Sequence, residues 1–243
     1  MSPTTVRWGG IMVFIGIALI FIIPIGFFAT VGVEGLRQSG RGAGAVGGQM
    51  QVMSVVMNIA MAVIVAFVFL ATKGYFNALG YQRANVVIYI IIGVQIISAL
   101  IAAITNTSAG LGGLMQTGGV RALGIVGIIV LVTTLVVLVA MLIFAIFCIS
   151  FGNLGGGVWK AIGILYLIGL IGIIIGLIVL LASAGFAIGA GPGAGTAGAA
   201  VIATVLLVVG FLCYAAGVIC HGIGLILGAG RIEREGNPAA VFD

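Results

Sequence analysis

His221 is the only histidine in this sequence, and it lies inside a long apolar run beside Cys220. Cys213 lies in the same run, and Cys148 is near the same depth in an earlier one. Imidazole and thiolate groups bind copper and zinc, although this spacing matches no zinc motif. Haem is a second alternative, with His221 as one axial ligand. We prefer a neutral histidine bonded to a carbonyl, while an ionisable residue within a membrane remains a functional candidate.

Methionines recur at helical spacing along another apolar run, at Met50, Met53, Met57 and Met61. The pattern Met53-x-x-x-Met57-x-x-x-Met61 resembles the M-x-x-x-M element of high-affinity copper transporters. The resemblance implies Cu(I) passage, because thioethers bind Cu(I); the soft-ligand path would continue through Cys148, Cys220 and His221. Those transporters have three spans and methionine-rich tails, which this sequence lacks. Methionine also fills gaps in apolar interfaces, and this is the interpretation that we prefer.

Asn58 and Gln95 are polar residues within apolar runs that are adjacent along the chain. We expect both near the middle of the membrane. They could line a small polar pore, or they could form hydrogen bonds between helices, each contributing about 0.6–2 kcal/mol. We favour the second interpretation.

The remaining residues offer little for catalysis. The sequence has no carboxylate pair suited to acid–base chemistry, no H-E-x-x-H motif and no phosphate-binding G-x-x-x-x-G-K-[ST] loop. We therefore expect a protein that is not an enzyme and has no cofactor. The nine Lys and Arg residues are scattered along the chain, which argues against a nucleic-acid partner.

The composition places the chain in a membrane. Of its 243 residues, 63% are hydrophobic and 5% charged, with a mean hydropathy of +1.45. A helix crosses the hydrocarbon core with about 20 apolar residues. The sequence predicts an all-α polytopic bundle, with one transmembrane domain over 1–230 and a short tail over 231–243. Its six spans lie near 9–33, 50–72, 85–105, 122–150, 160–187 and 199–229.

The basic residues predict the orientation. With six spans, one side receives Arg7, Lys73, Arg83, Lys160, Arg231 and Arg234, and the other receives Arg37, Arg41 and Arg121. Cytoplasmic loops carry the excess of Lys and Arg. We therefore expect both termini in the cytoplasm and the protein in the plasma membrane.

Two connections share the pattern F-x-x-L-G, at Phe76–Gly80 and Phe151–Gly155, 75 residues apart. This interval predicts three tandem helical hairpins; evenly sized helices and loops are the alternative explanation. The Phe151 copy runs on into Lys160-Ala-Ile-Gly-Ile-Leu-Tyr-Leu-Ile-Gly. This stretch resembles an element of small archaeal multi-helix membrane protein families of unknown function. The resemblance implies an all-helical fold and says nothing of activity.

Small residues mark the faces where membrane helices approach closely. Glycines at helical spacing in the last two runs predict such faces: Gly169, Gly172, Gly176, Gly217, Gly224 and Gly228. A tight bundle, a homo-oligomer or a docking face for another subunit would each explain them.

The sequence leads us to three functional hypotheses. The first is an accessory, assembly or structural component that acts through helix–helix association in the bilayer, with other membrane subunits or with copies of itself. The second is a passive channel or carrier for a small neutral or soft solute, Cu(I) included, since an uncoupled pathway needs no buried charge. The third is a redox subunit that uses His221 and needs a partner to complete the site.

Overall fold

The computed structural model describes the backbone of residues 2–37, 43–107, 110–190 and 194–235. It describes the side chains of residues 2–20, 53–103, 128–129, 131–182 and 198–234. Within these ranges the regular structure is entirely helical. Lipid offers no hydrogen-bond partners to an exposed backbone, and a helix satisfies its N–H and C=O groups internally.

Six helices follow one another along the chain, and each is long and apolar enough to cross a membrane. They are α1 (Pro3–Arg37), α2 (Ala43–Ala78), α3 (Asn85–Thr107), α4 (Gly110–Gly155), α5 (Gly157–Ala190) and α6 (Ala194–Glu235). The predicted six-helix membrane bundle is confirmed. Helix α6 extends through Glu235, so the first residues of the predicted tail are helical. The rest of that tail, 236–243, lies outside the described residues.

The helices form a ring in chain order. Each packs against the next, and α6 returns to pack against α1. Helix α2 also contacts α6 across the interior. The end of the bundle that holds the beginning of α1 and the end of α6 is called the termini end below. Arg7 and Glu233 form an ion pair of 2.7 Å there, which joins α1 to α6.

Two short turns at the termini end connect α2 to α3 and α4 to α5. Each contains a glycine with positive φ, Gly80 at 75° and Gly156 at 100°. Side chains rarely adopt this conformation, and glycine ends helices there without a steric penalty. Across the α4–α5 turn, Gly156 N donates to Gly152 O at 3.2 Å, and Trp159 N donates to Gly156 O at 3.1 Å. The turn thereby brings Trp159 to the inside of the ring, where it is 1% exposed.

The predicted glycine face of α5 packs against α6. A Cβ on Gly169 would lie 2.6 Å from the backbone N of Tyr214, and one on Gly172 would lie 3.0 Å from Cα of Gly210. Gly176 approaches α6 in the same way, with a Cβ 2.8 Å from a leucine side chain. These distances leave no room for a methyl group without movement. The two helices therefore pack closely because glycine occupies these positions.

The glycines of α6 also face other parts of this chain. A Cβ on Gly217 would lie 3.0 Å from Tyr166, and one on Gly228 would lie 2.6 Å from the Tyr75 ring. Gly224 similarly faces α5, where a Cβ would lie 3.0 Å from an isoleucine side chain. All six glycines that the sequence singles out are thus in close contact within one molecule.

Candidate functional site

A cluster of aromatic side chains fills the ring near the termini end. Its members come from α2, the α2–α3 turn, α4 and α5: Phe69, Tyr75, Phe76, Tyr81, Phe144, Phe151, Trp159 and Tyr166. The rings of Phe76 and Phe151 are 4.1 Å apart between centroids. Tyr75 stacks on Trp159 at 5.5 Å and 21°. Such contacts add favourable geometry to dispersion, so this end of the ring is a packed plug.

Tyr81 lies at the outer edge of this aromatic plug, in the turn beyond α2. Its ring meets Phe76 at 5.7 Å and Phe151 at 5.4 Å. Burial raises the pKa of Tyr81 above its ordinary value of 10.0, against the lowering effect of a hydrogen bond with Ser150. Its hydroxyl therefore stays protonated at physiological pH, and the plug gains no charge at this edge.

His221 lies against the inner face of the plug and is 2% exposed. Ring contacts surround it on several sides, with centroid distances of 5.9 Å to Phe69, 5.8 Å to Phe144 and 5.5 Å to Trp159. No carboxylate lies among the described partners of His221. The residue is enclosed by apolar rings, apart from two hydroxyl groups.

Those two hydroxyl groups bond both nitrogens of the imidazole. Nε2 is 2.8 Å from Oγ1 of Thr72 on α2. Nδ1 is 3.1 Å from the hydroxyl of Tyr166 on α5. Thr72 in turn donates to the Val68 carbonyl at 2.8 Å. The hydrogen-bonded histidine expected from the sequence is present, but its partners are hydroxyl groups rather than a carbonyl, because two other helices bring side chains to it.

A cavity of about 140 Å³ borders His221 on the side away from the termini end, and two rings of the plug, Phe69 and Tyr166, also line it. All six helices contribute to its wall, and all its lining residues lie in the candidate membrane spans. The apolar part of the wall is Val13, Gly16, Ile17, Ile20, Met61, Ile64, Val65, Val68, Phe69, Ile91, Val137, Met141 and Val218. The cavity therefore lies on the axis of the ring, within the apolar part of the bundle.

Four polar side chains complete the wall: Gln95, Tyr166, Tyr214 and His221. The rings of Tyr166 and Tyr214 are 5.3 Å apart between centroids. Neither the Gln95 amide nor the Tyr214 hydroxyl hydrogen bonds to another side chain or carbonyl within the described ranges. An apolar chamber with a few convergent polar groups is typical of a small-molecule site.

The structure separates the two residues of the predicted polar pair. Gln95 reaches the cavity, whereas Asn58 is exposed on α2 and donates to the carbonyl of Ser54, four residues earlier, at 2.9 Å. Asn58 therefore satisfies its amide within its own helix. The polar function expected of the pair remains a prediction, and in this fold Gln95 is the member placed to serve it.

The predicted soft-metal residues are likewise spread over several places. Met61 lines the cavity, while Met53 and Met57 are half-buried elsewhere along α2. Cys148 is buried in the core and Cys220 is packed against that core, both as free thiols. Among the described residues, no three His, Cys, Asp or Glu side chains are grouped as metal ligands. A site that includes the methionines stays a prediction.

Sequence reasoning missed Thr72, Tyr166 and Tyr214 as site residues. Threonine and tyrosine occur at many positions in membrane helices, and nothing in their spacing marks these three. A usable signal was present in the aromatic residues of the two F-x-x-L-G connections, because rings concentrated at one end of a bundle predict a common core. Comparison with known proteins adds nothing further: no protein-family model, curated protein or solved structure matches this chain.

Proposed function

We propose that this protein binds a small uncharged solute in the cavity at the axis of its helix ring and acts as a carrier for it. The observation that carries the proposal is the cavity itself, about 140 Å³ in volume and walled by all six helices. Close packing ordinarily leaves few voids larger than a water molecule. A chamber of this size within a bundle held so tightly elsewhere is therefore a feature to explain.

The volume limits the size of the solute. An engineered apolar cavity of about 150 Å³ in another protein binds benzene or xenon. We therefore expect an occupant of roughly one six-membered ring. This size fits small alcohols, phenols and simple aromatic molecules, and it is too small to enclose a sugar or a whole lipid.

The chemistry of the wall indicates an uncharged occupant. Within the described residues the wall contains no carboxylate, lysine or arginine. An ion at this depth would need such a partner or a ring of carbonyl groups to replace its hydration shell. A neutral molecule needs only apolar contact and a hydrogen bond.

The plug favours a carrier over an open channel. Phe144, Phe151 and Trp159 are at most 1% exposed and block the axis between the cavity and the termini end. A solute in the cavity would leave on that side only after the plug had opened. A central site that is closed toward one side of the membrane is a state that a carrier passes through.

Binding of fluorobenzene, followed by ¹⁹F NMR in nanodiscs, tests this proposal. We expect saturable binding beyond the uptake of empty nanodiscs of the same lipid. Val218→Phe places a ring in the cavity wall and should abolish the saturable part. Val208→Phe, at a position 52% exposed on the same helix, should leave it intact. Equal binding by both variants, or no saturable binding by the natural protein, would disprove solute binding at this site.

Association with other subunits is a second proposal, and the sequence supports it through its glycine faces. In this structure those glycines contact other helices of the same chain. Packing within one molecule explains these glycines without a partner protein. We therefore rank solute binding above association. Purification in mild detergent with mass spectrometry of co-eluting proteins tests association. A stoichiometric partner would support it, and a partner-free preparation would count against it.

A redox subunit using His221 has the least support. Both imidazole nitrogens already bond to hydroxyl groups of Thr72 and Tyr166. An axial ligand would have to break one of these bonds. We also propose that the protein is not an enzyme. A visible-region absorption band in the purified protein would show a redox cofactor and overturn the low ranking of the redox hypothesis. Turnover of a bound solute would overturn the proposal that the protein is not an enzyme.

We further propose a plasma-membrane location with both termini in the cytoplasm, on the distribution of basic residues. Arg7, Arg231 and Arg234 all lie at the termini end. Labelling of Glu233→Cys with a membrane-impermeant maleimide tests the orientation. Reaction in inside-out but not right-side-out vesicles is expected, and the reverse pattern would refute it.

A further inference from the structure

We propose that the cavity selects a solute with a hydroxyl group, such as a small alcohol or phenol, because the His221 hydrogen-bond chain leaves the oxygen of Tyr166, a residue of the cavity wall, as an acceptor. This inference rests on the proposed function, since it names the chemical class of the solute. Thr72 has a single hydroxyl hydrogen, which can serve one acceptor at a time.

The direction of the chain follows from counting hydrogens. Thr72 donates to the Val68 carbonyl at 2.8 Å, so its oxygen accepts from Nε2 of His221 at 2.8 Å. A neutral imidazole with its hydrogen on Nε2 has an acceptor at Nδ1. The Tyr166 hydroxyl is 3.1 Å from Nδ1 and donates to it. All three contacts are then hydrogen bonds that run from Tyr166 through His221 to α2.

The opposite direction makes fewer bonds. With the hydrogen on Nδ1, His221 donates to Tyr166 and Thr72 donates to Nε2. The Thr72 hydrogen is then withdrawn from Val68, and one of the three contacts is lost. Hydrogen bonds inside an apolar interior are satisfied wherever the geometry allows. The Nε2–H form is therefore the one that this site stabilises.

The polar groups of the cavity wall have hydrogen-bond donors and acceptors that remain free for a solute. The Tyr166 hydroxyl donates its hydrogen to His221, and its oxygen can still accept a hydrogen bond. The Gln95 amide offers two hydrogens and a carbonyl oxygen, and the Tyr214 hydroxyl offers one hydrogen and an acceptor. A hydroxyl group on the solute both donates and accepts, so it can bond to Tyr166 and to one of these neighbours at once.

The other solute classes fit less well. A hydrocarbon or inert gas would leave the Gln95 amide and the Tyr214 hydroxyl without a partner in an apolar chamber, which is unfavourable. A solute with only a carbonyl could accept from Gln95 or Tyr214 but would place an oxygen against the Tyr166 acceptor. A solute hydroxyl can donate to Tyr166 and also accept from Gln95 or Tyr214, which neither of the other two classes can do.

The direction of the chain can be read directly, because the protein has one histidine. Labelling with ¹⁵N-histidine gives a single pair of imidazole signals, whose shifts distinguish a protonated from an unprotonated nitrogen. We expect the hydrogen on Nε2. Thr72→Ser should preserve this form, and Thr72→Val should reduce its population. A hydrogen on Nδ1 in the natural protein would overturn the proposal.

The solute class is tested with 4-fluorophenol and fluorobenzene, two rings of nearly equal size that differ by one hydroxyl. After correction for uptake by empty nanodiscs, 4-fluorophenol should bind about tenfold more tightly, the effect of a well-placed hydrogen bond. Gln95→Leu and Tyr214→Phe should each reduce this ratio, because each removes a hydrogen-bonding partner of the solute hydroxyl. Fluorobenzene should bind each variant at least as tightly as the natural protein, since the polar group that it leaves without a partner is gone. Retained fluorobenzene binding also shows that the variants are folded.

The outcomes separate this inference from the proposed function. Saturable binding of both rings with equal affinity would overturn hydroxyl selection and leave solute binding in place. Absence of saturable binding for either ring would overturn both. A preference for 4-fluorophenol that survives Gln95→Leu, Tyr214→Phe and Tyr166→Phe alike would show that another group reads the hydroxyl, and this too would overturn the assignment.

Discussion

The hydroxyl oxygen of Thr72 lies 2.8 Å from Nε2 of His221 and joins α2 to α6 across the interior of the helix ring. Both side chains are buried, at 0% and 2% exposure. Thr72→Val removes the oxygen and leaves the imidazole nitrogen without a partner. We expect a loss of about 1–3 kcal/mol in the free energy of unfolding, the cost of an unsatisfied buried polar group. Unfolding in mixed detergent micelles measures it, with Thr72→Ser as the near-neutral control. Equal stability of the two variants would contradict the role of this bond.

We expect any side chain at Gly169 to cause a steric clash at the α5–α6 interface. Gly169→Ala would place a Cβ 2.6 Å from the backbone N of Tyr214, and a backbone atom cannot rotate away. We expect a destabilisation of about 1–3 kcal/mol, as for an overpacked core. Gly198→Ala is the matched control, because a Cβ there meets nothing within 4 Å. Thermal unfolding of the two variants should differ, and identical midpoints would argue against close packing at Gly169.

Gly156 and Gly157 are consecutive residues that differ in backbone conformation. Gly156 has φ of 100°, Gly157 begins α5, and a Cβ on either would meet nothing within 4 Å. Gly156→Ala should therefore cost about 1–2 kcal/mol through backbone strain alone. Gly157→Ala should be neutral or slightly stabilising, because alanine favours a helix. Chemical denaturation compares the two, and a neutral Gly156→Ala would show that the turn readily adopts another conformation.

Substitution of Phe151 tests how much the aromatic plug contributes to the free energy of unfolding. Phe151→Ala empties space beside Phe76, Tyr75 and Trp159. In a water-soluble core such a change costs roughly 3–5 kcal/mol. We expect less here, though above about 1 kcal/mol, because lipid supplies no hydrophobic transfer term and dispersion contacts alone are lost. Phe211→Ala, at a position 62% exposed, is the control. Similar unfolding curves for the two variants would contradict a packed plug.

Gly172 and Gly176 are unsuitable positions for testing association by substitution in this fold. Leucine at either position would collide with α6 of the same molecule, where a Cβ already lies at 3.0 Å and 2.8 Å from its neighbours. Loss of a complex in such a variant would report disruption of the bundle. Surface positions on the described lipid-facing helices are the suitable sites for testing association.

The two F-x-x-L-G connections illustrate how far local pattern carries. Their first residues, Phe76 and Phe151, meet ring to ring at 4.1 Å, which equivalent ends of two parallel hairpins would produce. The glycines differ, however. Gly80 adopts the positive φ in the first turn, whereas in the second it is Gly156, one residue beyond the pattern. Gly155 instead lies against the Phe151 ring. The final glycine of the pattern therefore has a different structural role in each turn. The three tandem hairpins remain a prediction.

The sequence by itself determined the six helices, their membrane setting and the importance of glycine in their last two members. Each follows from chain-local physics: apolar length sets the span, lipid enforces the helix, and a missing side chain permits close approach. His221 stood out for the same reason, as a lone ionisable group in an apolar run. None of these conclusions depends on which helices are neighbours.

Only the tertiary structure decided which side chains meet. Gln95 lines the cavity, whereas Asn58 bonds to a carbonyl of its own helix. Thr72, Tyr166 and His221 come from three helices and are joined by hydrogen bonds. In a water-soluble protein the apolar face of a helix marks the interior. A membrane helix is apolar on every side, because lipid and core are equally apolar. The sequence pattern therefore carries little information about the inward face, and the site emerges only when six helices are packed around one axis.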